Sequence, residues 1–214
     1  PFSDPLADGV VNQMAAERAL RAGADVRGVL GLIREFRKDS ETPLVLFTYL
    51  NPIYCYGFER FHQDAAAAGA DGILNLDLPP DEEATNSELC DAHGLTHIRL
   101  IAPTTADERL RAVAEASEGF IYYVSREGVT GQRTELAAGI SEQLGKIKAV
   151  SDLPVVVGFG ISTPEQSAAV AGMADGVVVG SAIVNTVAEY AEDPELAERV
   201  FGFVKPLVDA VKSV

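Results

Sequence analysis

The chain is short of positive charge, of cysteine, of histidine and of long apolar runs. Seventeen Lys and Arg stand against 32 Asp and Glu, a formal net charge of −15 over 214 residues. Nucleic acid and anionic membrane surfaces both select clustered basic side chains, so the balance argues against either as a partner. It leaves phosphorylated small molecules open, because backbone N–H groups bind phosphate without net positive charge. The two cysteines, Cys55 and Cys90, have no metal-ligand spacing. Reduced thiols in a cytosolic protein, neither of them catalytic, are the expectation. His62, His93 and His97 sit apart in helix-like, helix-end and strand-like surroundings, so no metal site is expected. No apolar run reaches the ~18 residues that span a membrane.

What is present is a globular composition, 47% hydrophobic, in a length that suits one domain with a sizeable core. Short apolar runs bounded by Gly, Pro or Asp predict strands over 43–49, 72–78, 96–101, 120–125, 153–158 and 176–179. Between and around them, helical patterns run over 9–22, 26–38, 58–68, 81–93, 106–116, 141–149, 164–171 and 194–211. Ala-Gly-Ala-Asp occurs at 22–25 and again at 68–71, with a looser echo at 172–175, each placing Gly where a helix should stop. Strands alternating with helices predict βα units and a parallel sheet. A repeat of roughly 25–30 residues suits a (β/α)8, or TIM, barrel of about 250 residues. Six strands are present, so the expectation is a single barrel domain over 1–214 with its first two strands and first helix missing from the chain. A six-stranded open sheet is the alternative on topology.

Barrel chemistry sits at the C-terminal strand ends. The opening loop, Pro1-Phe2-Ser3-Asp4-Pro5-Leu6-Ala7-Asp8-Gly9, offers two carboxylates. Asp8 precedes a helical run and so reads either as an N-cap or as an acid–base group. Asp4, in Asp-Pro, suits a turn. Tyr49, Asn51 and Asp77 follow the next strands, and Asp77 is open to a structural or a site role. Tyr122 and Tyr123 alternate, so one faces the barrel interior and the other the helices. Gly158-Phe159-Gly160-Ile161-Ser162-Thr163-Pro164-Glu165 leaves a strand and enters a helix, with Ser162 and Glu165 as the expected capping box. Gly180-Ser181 repeats the move one unit later. Two helix starts after the last two strands predict a phosphate site, tight turns being the plainer reading. The polar loop 127–134 reads either as a lid or as an ordinary connection.

These motifs together resemble the tryptophan synthase α subunit family. The resemblance rests on Phe2-Ser3-Asp4-Pro5-Leu6-Ala7-Asp8-Gly9, Tyr49-Leu50-Asn51-Pro52, Asp77-Leu78-Pro79 and Ser125-Arg126-Glu127-Gly128-Val129-Thr130-Gly131. Gly158-Phe159-Gly160-Ile161-Ser162 and Gly180-Ser181-Ala182-Ile183-Val184 complete it, in family order along the whole chain. It implies a (β/α)8 barrel that cleaves indole-3-glycerol phosphate to indole and glyceraldehyde 3-phosphate without cofactor or metal. Asp8 then corresponds to the carboxylate that accepts the indole N–H, and Tyr122 to the active-site tyrosine. Tyr49 falls within the matched motifs at the substrate site. Leu100 and Phe159 correspond to the indole pocket, and Gly131, Gly160, Gly180 and Ser181 to the phosphate donors. Thr130 corresponds to the lid threonine that meets the aspartate. The resemblance also implies a β-subunit partner in an α2β2 heterotetramer, with pyridoxal phosphate held only by that partner. Asp4, Pro5 and Asn51 would serve the contact. The family's second acid–base group is a glutamate four positions before Pro1, and about 50 further residues are expected upstream. Competing readings are another phosphate-binding barrel, such as a sugar-phosphate isomerase or epimerase, and a non-catalytic α-like subunit that activates a β partner.

Overall fold

The structure is a computed structural model and describes residues 1–125, 133–158 and 160–214, with backbone alone across 133–138. The chain divides into two compact units, Pro1–Arg99 and Leu100–Val214. The first runs through α1 (Val10–Arg21), α2 (Val26–Phe36), β1 (Val45–Thr48), α3 (Leu50–Tyr56), α4 (Phe58–Ala68) and β2 (Gly72–Asn75). A 3-10 turn at Pro80–Glu82 and α5 (Ala84–His93) lead to β3 (Thr96–Ile101), whose last two residues belong to the second unit. β1, β2 and β3 pair in parallel, with Val45 opposite Gly72 and Gly72 opposite Thr96. The second unit runs through α6 (Asp107–Ala116), β4 (Ile121–Val124), α7 (Arg133–Lys148), β5 (Val155–Gly158) and α8 (Pro164–Ala171). It ends with β6 (Gly176–Val178), α9 (Ser181–Glu189) and α10 (Leu196–Lys212). There β4, β5 and β6 are parallel, with Tyr122 opposite Val156 and Val156 opposite Gly176. Both units are therefore built of the βα repeat that the apolar runs predict.

The repeated Gly-Ala-Asp ends have a common physical use. Asp71 lies one residue before β2, and its carboxylate accepts from the Leu44 amide at 2.6 Å, just before β1. Its own amide returns a bond to Leu44 O at 2.8 Å, and its carbonyl accepts from Thr96 N at 2.8 Å. Arg37 pairs with the same carboxylate and donates to Gly69 O at 2.7 Å. Asp175 repeats this before β6, accepting from Val155 N at 2.9 Å and from Lys148. The Val155 N–H and then Lys148 hold the Asp175 carboxyl below the usual range. Asp25 is used differently and caps α2 by accepting from Gly28 N at 2.8 Å. Gly69 adopts the left-handed cap conformation, φ 97°. Gly172 does not, since its φ is −70° and α8 ends right-handed.

Three elements differ from the sequence expectation. α3 forms over Leu50–Tyr56, where Pro52 sits within the first turn and loses no helical bond. α7 begins at Arg133 rather than 141 and runs through Gly139, a residue whose cost of about 1 kcal/mol in a helix good neighbours absorb. The capping box shifts by one residue: with Pro164 first in α8, Thr163 is the cap and Gln166 its reciprocal partner. Gln166 Oε1 accepts from Ser162 N and Thr163 N, which displaces the expected Ser162–Glu165 pair.

One core packs Leu30, Ile33, Ile53, Phe61, Ile73 and Cys90 between β1–β2 and α2–α5. The other packs Ile121, Tyr123, Val155 and Val157 with α6–α8. Truncating a fully buried isoleucine such as Ile73 to alanine costs about 2–5 kcal/mol. Among the described residues no helix is long and apolar enough to cross a membrane, and no cluster of His, Cys, Asp and Glu could hold a metal ion. The buried histidines are instead wired to amides and hydroxyls. Asn86 bridges His62 at 2.9 Å and His97 at 3.1 Å, and His97 also meets Ser87 Oγ at 3.0 Å. Arg99 on β3 is paired with Glu83 at 2.7 Å, both largely buried.

Burial, and then the nearby Arg99 charge, push His97 down to about 4. An unfolded histidine takes its proton near 6.5. Between those values the unfolded chain binds more protons, so His97 favours folding above pH ~6.5 and that contribution is lost as pH falls toward 4. The urea midpoint should therefore fall from pH 7 to pH 5, and His97→Gln should show a shallower fall over the same range.

Candidate active site

The opening loop is anchored to the end of β1. Phe2 packs its ring on Tyr49 at 5.2 Å between centroids. The Tyr49 hydroxyl accepts from Ala7 N at 3.1 Å and donates to Asp8 Oδ2 at 2.9 Å. Burial first, and then the bond to Asp8, push the Tyr49 phenol up to about 12, so it remains a donor. Asp8 does not cap α1. The cap position is Gly9, with no side-chain bond, and the Asp8 carboxylate points to Tyr49 and to Asn12 Nδ2, 3.3 Å from Oδ1. The Gln13 side chain donates to the Asp8 carbonyl at 2.8 Å. A carboxylate oriented by neutral donors on both oxygens is an acceptor set for one incoming N–H or O–H group. Asn12 and Gln13 carried no signal in the sequence, because their place in a first helical turn is shared by many unremarkable polar residues.

Asp4 is exposed and its carbonyl closes a turn to Leu6 N at 2.9 Å, as its Asp-Pro context predicts. Pro5 accepts from Asp8 N at 3.0 Å. Asn51 is exposed on α3 and accepts from Cys55 Sγ at 3.6 Å. Asp77 has a structural bond: its carboxylate receives Leu50 N at 2.7 Å and so supplies the missing cap of α3.

In Leu100–Val214 the same strand-end logic brings other residues together. Tyr123 is buried in the helix-facing core, so alternation turns Tyr122 to the opposite face, and burial raises its phenol. The Tyr122 ring lies across the end of β5, where a Cβ on Gly158 would stand 2.7 Å from ring Cε2. Gly158 pairs with Val178, so the loops carrying Gly160 and Gly180 leave neighbouring strands at the same height. Gly160 has φ +61°, a left-handed conformation that favours glycine. α8 is closed by its capping box, whereas α9 starts on Gly180 without a side-chain cap. Its first N–H groups, at Ser181 and beyond, are therefore the better anion site. Leu100, half-buried, precedes Ile101 of the helix-facing core on β3, so alternation turns it to the opposite face. The expected contacts Thr130, Gly131 and Phe159, and the expected lid up to residue 132, lie outside the described residues.

A carboxylate with its tyrosine donor after one strand, and paired glycine loops after two others, match a known family. The family model of the tryptophan synthase alpha chain matches residues 1–211. The chain belongs to the tryptophan synthase alpha chain family. The tryptophan synthase alpha chain of Opitutus terrae is 51% identical over 195 residues, covering 91% of this chain and 73% of that protein. The Geotalea uraniireducens alpha chain is 49% identical, over 100% of this chain and 80% of that one. Among solved structures, tryptophan synthase subunit alpha from Legionella pneumophila superposes with a TM-score of 0.90 at 41% identity, covering 100% of this chain and 80% of that one. Tryptophan synthase from M. tuberculosis, in its aminoacrylate-bound form, gives 0.87 at 38%, with 99% and 78% covered. The fold is thus the TIM-barrel α/β fold of the family, and the role is that of the alpha subunit, a lyase of tryptophan biosynthesis. The family match does not favour the isomerase or epimerase reading.

Gly158→Ala should cost about 1–3 kcal/mol, by overpacking against the Tyr122 ring. In a Tyr122→Ala background the same change should cost nothing further, a coupling that denaturant unfolding of the four proteins measures.

Proposed function

We propose that this chain performs the retro-aldol cleavage of indole-3-glycerol phosphate to indole and glyceraldehyde 3-phosphate, with Asp8 as the acceptor of the indole N–H. The observation that carries the proposal is the Asp8 carboxylate, which leaves the α1 cap position to Gly9 and is held at 2.9 Å by a tyrosine that stays protonated. Cleavage needs a proton added at indole C3, which makes the ring an electron sink. The ring nitrogen then bears developing positive charge, and its N–H proton moves toward Asp8. As the glycerol hydroxyl loses its proton, the adjacent C–C bond breaks, its electrons return to the ring, and a carbonyl forms. A fixed anion next to that nitrogen favours the charged intermediate over the substrate, which is what raises kcat rather than binding alone. The resemblance implies a glutamate as the group that moves the proton at C3 and the hydroxyl.

Gly160, Gly180, Ser181 and Gly131 would hold the phosphate, supported by the uncapped start of α9. Leu100 and Phe159 would face the indole, with Tyr122 beside the substrate and Thr130 meeting Asp8 from the lid. The chain itself would use neither cofactor nor metal. A tryptophan synthase β subunit holding pyridoxal phosphate would be the partner, in an α2β2 assembly. Exposed Asp4 and Asn51, with Pro5, would lie on the contact. Free cysteines, one of them exposed, suit the reducing cytoplasm.

Asp8→Asn keeps the shape of the side chain but removes the anion. Indole release should fall by at least about a hundredfold, while the binding of indole-3-glycerol phosphate stays close to that of the parent. Retained turnover would reduce Asp8 to a structural residue.

A further inference from the structure

We propose that Asn12 is a positioning residue that fixes the Asp8 carboxylate for the reaction; the inference rests on the reading of Asp8 given above. Asn12 lies one helical turn after Asp8, on the first turn of α1, and its Nδ2 donates to Asp8 Oδ1 at 3.3 Å. Tyr49 holds the other oxygen from the end of β1. The carboxylate is thereby gripped from two different elements, which sets its torsion and leaves defined lone pairs for a substrate donor.

The other end of the Asn12 amide supports this assignment. Its Oδ1 is buried and has no hydrogen-bond partner. An orphaned amide oxygen is a cost that α1 has no packing reason to carry, since the helix buries none of its residues. Turning the amide over does not relieve it. That orientation sets Oδ1 against a carboxylate oxygen, two acceptors facing each other, and moves the unpartnered place to Nδ2. The orientation observed is the one that serves Asp8, and the orphaned oxygen is its consequence. Local sub-optimality of this kind concentrates where a side chain is held for function. Gln13 acts beside it on the Asp8 main chain, so the first turn of α1 restrains both the backbone and the carboxylate.

Asn12 acts through Asp8, so its loss should lower kcat and leave substrate binding in place. Asn12→Leu is close in size, brings in a better helix former and removes both the donor and the orphaned acceptor. In this variant kcat for indole release should drop about fivefold or more, with KM changed less than about twofold and Tm unchanged or higher. Asn12→Asp, which sets a second anion beside Asp8, should lose at least as much. A kcat loss smaller than about twofold in Asn12→Leu overturns the proposal, as does a loss matched by a fall in Tm, which marks a structural role. Asp8→Asn, assayed alongside, separates the two readings. If it retains turnover, the assignment of Asp8 fails and this inference with it. If it is inactive while Asn12→Leu is fully active, the inference about Asn12 alone fails.

Discussion

Asp71 accepts the Leu44 amide through its carboxylate, while its own amide and carbonyl bond Leu44 O and Thr96 N. One residue thus ties the starts of β1, β2 and β3, and Arg37 neutralises it while bonding the preceding helix end at Gly69. Parallel strands have no hairpin turn to set their register, and a slip of one residue would exchange the core face for the other face. With Val45 held opposite Gly72, Ile73 enters the core and Tyr49 emerges at the C-terminal end of β1. Tyr49 in turn anchors the opening loop and orients Asp8. The proposed acid–base centre therefore depends on a clamp at the opposite end of the strand. Asp175 performs the same task for β5 and β6, which sets the Gly160 and Gly180 loops level.

The polar groups in these units are arranged by consequence. Those at strand starts are saturated and hold register. His62, Asn86, His97, Ser87, Arg99 and Glu83 lie between β3 and α4–α5 as a bonded chain, and so carry little unsatisfied cost. At the starts of α1 and α9 the accounting is left open. Asn12 Oδ1 has no partner, and α9 begins without a cap. A site that must receive a ligand keeps donors and acceptors in reserve, and stability is drawn from the rest of the unit.

Much of this was legible in the residues. Periodicity and breakers located the six strands among the described residues, and the ends of α4 and α8 fell where Gly and Pro marked them. The Gly-Ala-Asp repeat announced a structural unit, though not that its aspartate reaches across to the neighbouring strand. What escaped was decided by partners distant in sequence. α3 takes its cap from Asp77, 27 residues on, so no local motif marked its start. Asp8 looked like a helix cap because spacing reports only the helix behind it, whereas Tyr49, 41 residues away, claims its carboxylate. The choice between Tyr122 and Tyr123 needed the helix-facing core to be seen. The capping box slipped by one residue because Thr163 and Gln166 offered the same chemistry as Ser162 and Glu165, and Pro164 decided between them.

The proposed cleavage depends most directly on Asp8 accepting the indole N–H. A substrate methylated at the ring nitrogen has no such proton to give. The protein should bind 1-methylindole-3-glycerol phosphate, seen as competition against the parent substrate, and release 1-methylindole no faster than its Asp8→Asn variant does. Release of 1-methylindole by the unaltered protein at a rate near that for indole would contradict the account.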